Sequence, residues 1–276
     1  MPWTIGFIGT GVMAETMIAG LIDTGFDPLR VIASHRRPER LAELACHAIR
    51  TTLSNVDAAD ADVVVLALKP QTLAQVLGEL RGNLRSDAVV LSIVAGARVR
   101  VLADSLLHTR VVRAMPNLPC RIRQGMTVWY GGKTLADADR ERVKTVLASM
   151  GAELEVDDEG HVDRATAVSG TGPAIVAHFV KAFLEAAAYI GEPRGVARAT
   201  VLATLSGTVE MLRRSDAHVA ELIDEVTSPG GTTSRALQVL KNGRFSAVLT
   251  ESVDAAHQRT IELGDQLEAR LRNDQG

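Results

Sequence analysis

The sequence has few aromatic residues, few cysteines and no excess of positive charge. Phe, Trp and Tyr make up 3% of the 276 residues and apolar residues 46%, so the core is built mainly from Ala, Val, Leu and Ile. Two cysteines, Cys46 and Cys120, exclude a disulfide-rich scaffold. The seven histidines show no zinc-type spacing, so we expect no metal site. A net charge of -3 and scattered basic residues argue against nucleic-acid binding.

Long hydrophobic runs and a leader segment are also missing from the pattern. No apolar stretch approaches the ~20 residues of a membrane-spanning helix. The N-terminus MPWTIGFIGTG begins directly with a strand-like run, without a basic segment and cleavage site. We therefore expect a soluble, cytoplasmic protein with no membrane partner, long enough for two ordinary domains or one large one.

The first half alternates short apolar strands with helical patterns. The run DVVVLAL at 62–68 is apolar throughout, which is typical of a strand buried on both faces of a parallel sheet. The alternation predicts a Rossmann-type, doubly wound α/β domain over residues 1–157. The predicted strands are 3–9, 31–34, 62–68, 88–94, 110–114 and 126–129, with helices at 40–48 and 73–84.

A glycine-rich turn joins the first strand to the first helix. In GTGVMA, the first glycine makes the tight turn, the second lets a pyrophosphate approach the backbone, and Ala14 allows close packing of helix on strand. The anion then meets the helix N-terminus, where free N–H groups favour it. The predicted dinucleotide contacts in this turn are Gly9, Thr10, Gly11, Val12 and Met13.

The end of the second strand indicates which dinucleotide is bound. NAD enzymes place an acidic residue there, whereas this sequence has Ser34, His35, Arg36 and Arg37. A hydroxyl group and two guanidinium groups suit a 2′-phosphate, so we expect Ser34, Arg36 and Arg37 to bind NADPH, with NADH weaker. The alternative is a solvated basic loop.

Ligands of open α/β sheets lie at the carboxyl ends of the strands. Lys69 and Pro70 follow the third predicted strand, Gly96 follows the next, and Met115-Pro116-Asn117 follow the one after that. The further predicted cofactor contacts are Ala67, Leu68, Lys69, Pro70, Ala95, Gly96 and Asn117.

Residues 158–276 show helical patterns only. The predicted helix from Pro173 to Ile190 is apolar nearly all round, so it requires burial. The simplest way to bury it is against a second copy of the chain, which predicts a homodimer or a larger assembly. The other predicted helices are 158–168, 193–213, 217–225, 232–241 and 246–270.

The stretch TSPGGTT at 227–233 places a proline, two glycines and four hydroxyl side chains directly before a helix. One interpretation is ordinary helix capping. The other is a seat for an anion, formed by backbone N–H groups instead of by arginine.

The motifs RAMPNLP at 113–119, SGTGPA at 169–174 and DEVTSPGGTT at 224–233, following GFIGTGVMAE, resemble those of the pyrroline-5-carboxylate reductase family over almost the whole chain. The resemblance implies an NADPH-binding Rossmann domain followed by an all-α dimerisation domain, with dimers that assemble further, commonly into decamers. The implied reaction is reduction of the cyclic imine (S)-1-pyrroline-5-carboxylate to L-proline, the last step of proline biosynthesis.

The resemblance also implies roles for individual residues. The substrate carboxylate would rest on the loop before residue 234, and Thr233 would reach the ring nitrogen as the catalytic residue. Glu159 would lie near the active site, in contact with the cofactor or the substrate. Asn55 would contact the cofactor, although Ser54 competes because the spacing to Asp62 is one residue short. The substrate contacts are Ser228, Gly230, Gly231, Thr232, Thr233 and Glu159.

Four departures from the family pattern leave the preferred cyclic imine open. They are Val12, Leu118, Ile175 and Val219.

Two alternative functions remain. One is a related imine or 3-hydroxyacid-type reductase, although TAVSGTGPAI lacks the lysine or aspartate that such enzymes usually have at the centre of the interdomain helix. The other is a non-catalytic NADP-binding regulator, against which the intact TSPGGTT argues.

Overall fold

The computed structural model describes residues 2–133 and 135–273. Contacts divide the chain into two compact units: unit 1 is Met1–Thr171 with Ala255–Gly276, and unit 2 is Gly172–Asp254. This division falls later than the predicted boundary at 157/158, because the segment that follows residue 158 packs on the sheet of unit 1. That 1–157 and 158–276 form separate domains stays a prediction.

Unit 1 contains an eight-stranded sheet. The strands are β1 Ile5–Ile8, β2 Val31–Ser34, β3 Arg50–Thr52, β4 Val63–Leu66, β5 Val89–Ser92, β6 Val111–Met115, β7 Gly125–Tyr130 and β8 Gly151–Glu155. Their order is β3-β2-β1-β4-β5-β6-β7-β8, and every neighbouring pair is parallel except β6 with β7. The chain order reverses between β1 and β4, which is the switch point of a doubly wound fold. The predicted Rossmann-type class is confirmed.

Helices cover both faces of this sheet. Alternate residues of β4 face opposite sides: Val63 and Val65 join one apolar cluster, and Val64 and Leu66 join the other. This two-sided burial explains the continuous apolar run in the sequence. The helices are α1 Val12–Asp23, α2 Pro38–Glu43, α3 Asn55–Ala59, α4 Pro70–Leu80, α5 Val99–Leu106, α6 Asp137–Ala148 and α7 Gly160–Ala165, followed by a π-helical turn at Thr166–Gly170.

Two strands of unit 1 are absent from the prediction. β3 is a short edge strand of polar residues, Arg-Thr-Thr, and β8 alternates half-buried and exposed positions. The helix predicted at 40–48 is shorter: α2 gives way to a 3-10 turn at Leu44–His47, and Ala48 has a left-handed φ of 55° that ends it.

Unit 2 is helical. Its helices are α8 Gly172–Tyr189, α9 Arg194–Arg214, α10 Val219–Glu225, α11 Thr232–Asn242 and the start of α12 Phe245–Asn273. α8 packs against α9, and Phe179 stacks near Phe183 and Phe245, with ring centroids 5.9 and 6.3 Å apart. None of the α8 side chains is buried within the single chain, although most are apolar.

The helical run Gly160–Tyr189 corrects one expectation. The run has 30 residues, and its most apolar 18-residue window has a mean hydropathy of 1.3, so by length and composition alone it could cross a membrane. The sequence shows the apolar character of α8, but not that the helical run continues from α7 through the π-helical turn into α8. Only 6% of its most apolar window is buried within the chain. A helix that packs against a second copy meets the same criteria, because it too needs an apolar surface.

Candidate active site

The glycine-rich turn has the geometry that the sequence predicts. Gly9 has a φ of +86°, and a Cβ atom there would lie 2.8 Å from the main-chain oxygen of Ala67, so only glycine fits. Gly11 is the N-cap of α1, and a Cβ there would meet nothing within 4 Å. No side chain caps this helix, so its first N–H groups are open to an anion. Ala14 is fully buried where α1 packs on the sheet.

Thr10 supplies an independent sign that a ligand belongs at this turn. Its side chain is 1% exposed, and among the described residues its Oγ1 is the buried side-chain atom with no hydrogen-bond partner. A buried hydroxyl without a partner is unfavourable unless an acceptor reaches it. The neighbouring Val12 is 58% exposed, and Met13 packs partly against the core. The turn therefore fits a dinucleotide.

Ser34, at the end of β2, is fully buried. Its Oγ lies 2.8 Å from Asn55 Oδ1 and 3.3 Å from the Phe7 oxygen, and Asn55 Nδ2 donates to Glu79 at 2.7 Å. Ser34 therefore holds Asn55, and its predicted contact with a 2′-phosphate would require these bonds to be given up. Ser54, the competing residue, accepts from the Asp57 N–H as the N-cap of α3.

The positive charge at this point lies on Arg36 and Arg37, which are both exposed. Burial lowers the pKa of His35, and the nearby guanidinium groups lower it further. The hydrogen bond between the Arg37 N–H and His35 Nδ1 raises the pKa but does not outweigh these effects. His35 is therefore neutral at pH 7, and a 2′-phosphate would be met by the two arginines.

The other predicted cofactor residues follow the carboxyl ends of β4, β5 and β6. Ala67 donates its N–H to the Ile8 oxygen at 3.0 Å, which ties it to the strand that precedes the glycine-rich turn. Leu68 is half-buried, Lys69 is the exposed N-cap of α4, and Pro70 is the first residue of that helix. Because β2, β1, β4, β5 and β6 are parallel, these segments and the turn share one edge of the sheet.

Two loops at this edge are fixed by contacts within unit 1. Ala95 is exposed, whereas Gly96 has a φ of +76°, and a Cβ atom there would lie 3.1 Å from the Cα atom of Gly264 in α12. Asn117 donates to Ser169 Oγ at 3.0 Å and accepts from the Met126 N–H at 3.0 Å. Ser169 lies in the π-helical turn, a feature common at functional sites.

Glu159, predicted near the substrate, is engaged within unit 1. Its Oε1 accepts from the Val99 N–H at 2.9 Å and from Arg113 Nη1 at 3.1 Å, and Arg113 Nη2 pairs with Asp163 at 2.5 Å. Arg113 is 2% exposed. This network was not predicted from the sequence, although an arginine inside the apolar strand VVRAM signals a need for buried partners.

The loop of unit 2 forms a turn followed by an uncapped helix. The Gly231 N–H donates to the Ser228 oxygen at 3.0 Å, and Gly230, after Pro229, has a φ of +74°, the pairing of a type II turn. Gly231 is the N-cap of α11, and no side chain caps that helix. The structure therefore does not support ordinary side-chain capping by TSPGGTT, and the interpretation as a seat for an anion is left. Thr232 and Thr233 are the first residues of α11.

Two departures from the family pattern have local structural consequences. α10 begins at Val219 without a proline, because His218 and Glu221 form a reciprocal capping box. Leu118, in the turn after β6, is 57% exposed at the edge that carries the predicted cofactor residues.

Comparison with known proteins agrees with this geometry. Residues 159–263 match the family model for pyrroline-5-carboxylate reductase dimerisation, and residues 4–96 match that for coenzyme F420-dependent NADP oxidoreductases. The matched residues run from α7 into α12, and the match to a dimerisation model supports self-association of the chain.

Relatives of similar length share the whole architecture. The chain is 38% identical to a pyrroline-5-carboxylate reductase of Pseudomonas aeruginosa, over 95% of this chain and 97% of that protein. A pyrroline-5-carboxylate reductase structure from Coxiella burnetii superposes with a TM-score of 0.89 at 32% identity, over 95% and 99% of the two chains. The structure of a pyrroline carboxylate reductase from Plasmodium falciparum with NADP bound superposes with a TM-score of 0.84. Its sequence identity is 28%, over 95% of this chain and 98% of that chain. The chain belongs to the pyrroline-5-carboxylate reductase family.

Proposed function

We propose that this chain reduces (S)-1-pyrroline-5-carboxylate to L-proline in the cytoplasm, using NADPH. The observation that carries the proposal is the uncapped N-terminus of α11, preceded by the Ser228–Gly231 turn, in a member of this family. NADPH, when bound, supplies the hydride that adds to the imine carbon. The ring nitrogen takes up a proton, so the reaction forms one C–H and one N–H bond.

The N-terminus of α11 seats the substrate carboxylate. The N–H groups of Thr232 and Thr233 have no partner within the helix, and the positive end of the helix dipole favours an anion there. Gly230 leaves its backbone open, since a Cβ there would meet nothing within 4 Å, and the Ser228 hydroxyl lies against Gly231, where a Cβ would clash with it. A neutral seat of this kind holds a carboxylate without pairing it to arginine.

Thr233 donates a hydrogen bond to the ring nitrogen. Its hydroxyl lies one residue into α11, beside the carboxylate seat, and it is half-buried. A donor at that nitrogen polarises the C=N bond and stabilises the electron density that arrives with the hydride. Thr233 is the catalytic residue of the proposal, and positioning of donor and acceptor supplies the rest of the rate.

The sheet edge of unit 1 holds the cofactor. The N–H groups at the start of α1 meet the pyrophosphate, and the Thr10 hydroxyl has no competing partner. Arg36 and Arg37 pair with the 2′-phosphate that distinguishes NADPH from NADH. Asn117, fixed by Met126 and Ser169, orients the nicotinamide side.

Glu159 acts on the site through other residues. Its bond to the Val99 N–H holds the first turn of α5, directly after the Ala95–Gly96 loop, and Arg113 holds the carboxylate from β6. Both acceptor contacts use the same oxygen, Oε1, and together they hold the Glu159 carboxylate between α5 and β6. The direct contact with the cofactor or the substrate that the resemblance implied stays a prediction.

The experiment compares Thr233→Val with Thr232→Val and Ser228→Ala. Thr233→Val keeps the shape and β-branching but removes the donor, so kcat and kcat/KM should fall together by about 10- to 1,000-fold. Groups that bind the carboxylate equally in ground and transition states should raise KM more than they lower kcat.

Cofactor titration and circular dichroism of each variant show whether the fold and the NADPH site remain intact. A correctly folded Thr233→Val enzyme with near-normal kcat would rule out the proposed donor, and proton delivery would then come from water.

A further inference from the structure

Three arginines follow the end of β2, and the structure separates the third from the other two. Arg36 and Arg37 are exposed, whereas the side chain of Arg40, on α2, is 17% exposed. Arg40 Nε donates to the main-chain oxygen of Thr10 at 2.7 Å. That oxygen lies between the two glycines of the phosphate-binding turn, so Arg40 contacts the turn itself.

The bond to Thr10 fixes the orientation of one peptide group. A trans peptide is planar, and its C=O and N–H point in opposite directions. Because the Thr10 oxygen points to Arg40, the Gly11 N–H of the same peptide points away from the guanidinium group. A Cβ on Gly11 would meet nothing within 4 Å, so there is room beside this residue for a ligand.

The remaining nitrogens of Arg40 are also engaged. Nη2 pairs with Glu15 at 2.5 Å, and Nη1 pairs with Glu43. Glu15 lies in the first turn of α1, where a carboxylate favours the helix but would repel an incoming phosphate. Arg40 offsets that charge, and each of its three nitrogens already has an acceptor within the protein, so the guanidinium group is held against the turn and the two carboxylates.

We propose that Arg40 is a positioning residue for the phosphate-binding turn. It orients the Thr10–Gly11 peptide and neutralises Glu15, and so supports binding of the pyrophosphate that NADPH and NADH share. Discrimination between the two cofactors stays with Arg36 and Arg37. This inference rests on the proposed use of NADPH. In the basic sequence SHRRPER, nothing separates the role of Arg40 from the roles of Arg36 and Arg37.

The test is fluorescence titration of the full-length protein with NADPH and with NADH, without imine substrate. Arg40→Met keeps the aliphatic stem and removes the donors, so both dissociation constants should rise by the same factor, about 10- to 100-fold. The dissociation constant of adenosine 2′-monophosphate, which lacks a pyrophosphate, should stay unchanged when it is measured by displacement of bound NADPH. The matched control Arg36→Ala should weaken NADPH and adenosine 2′-monophosphate and leave NADH nearly unchanged.

A second pair of variants tests the charge argument. Adding Glu15→Gln to Arg40→Met should restore part of the affinity for both cofactors, because it removes a carboxylate that has lost its guanidinium partner near the pyrophosphate. Arg40→Lys keeps the positive charge but has a single donor nitrogen. It should lower the affinity for NADPH and for NADH by the same factor, and by less than Arg40→Met does. If Arg40→Met does not fold, Arg40→Lys tests the proposal instead.

Selective loss of NADPH affinity in the Arg40 variants would show a 2′-phosphate ligand and overturn the proposal. Unchanged affinity for both cofactors would overturn it as well. Failure of the wild-type protein to bind either cofactor would instead refute the proposed function, so the two failures are distinguishable.

Discussion

Replacing Gly11 by alanine separates binding from folding at the phosphate turn. Gly11 has a φ of -71° and a ψ of -180°, which alanine adopts without strain, and the added Cβ meets no atom within 4 Å. The free energy of unfolding should therefore stay the same or rise by about 0.4–1 kcal/mol, because alanine lowers the entropy of the unfolded chain. The same methyl group keeps a pyrophosphate from the backbone, so the NADPH dissociation constant should rise at least about tenfold.

Gly9→Ala is the matched comparison, two residues away. Gly9 has a φ of +86°, and the new Cβ would lie 2.8 Å from the main-chain oxygen of Ala67. The left-handed conformation alone lowers stability by about 1–2 kcal/mol, and the clash with backbone adds to it. Urea denaturation measures stability, and NADPH fluorescence measures binding. A Gly11→Ala protein that binds NADPH as tightly as wild type would refute the placement of the pyrophosphate.

Three further predictions concern the sheet and the assembly. Burial opposes ionisation of Asp62, but bonds from the Thr4 N–H and hydroxyl and the nearby Arg85 outweigh it and hold its pKa below the ordinary value. Asp62→Asn should therefore lower the free energy of unfolding by about 1–2 kcal/mol at pH 7. In urea titrations, the difference between wild type and variant should shrink as the pH falls below about 4, because the Asp62 carboxylate becomes protonated. A difference that persists at pH 2 would contradict this. Arg113→Met leaves two carboxylates without their buried partner and should lower the free energy of unfolding by about 3–5 kcal/mol, whereas a loss under about 1 kcal/mol would refute a stabilising network. Phe183→Asp should give insoluble or unfolded protein, and sedimentation of a well-folded wild-type monomer would contradict the assembly.

The features that depend on periodicity and on glycine could be predicted from the sequence. Strand β2 at Val31–Ser34 matches its prediction to the residue, and α8 and α11 begin and end within one residue of theirs. The two-sided burial of β4 leaves an unbroken apolar run, and the φ of +86° at Gly9 requires glycine. Both signals are local, so they can be read without knowing the fold.

The missed features depend on long-range pairing. β3 is a polar edge strand, held by backbone bonds to β2, so its side chains carry no strand pattern. Glu159 and Arg113 are 46 residues apart in the chain, and only the fold shows that they pair. Ser34 offers the hydroxyl that a 2′-phosphate would accept from, but its burial against Asn55 depends on the packing of α3 beside β2.

Steady-state NADPH oxidation, with product identification, tests whether this protein reduces (S)-1-pyrroline-5-carboxylate to L-proline. The purified protein is given (S)-1-pyrroline-5-carboxylate, a six-membered piperideine carboxylate, and no substrate in parallel reactions. We expect NADPH oxidation to be fastest with the five-membered imine, with one L-proline formed per NADPH consumed, and we expect NADH to support a lower kcat/KM. Absence of turnover with (S)-1-pyrroline-5-carboxylate by a protein that binds NADPH would contradict the proposed function.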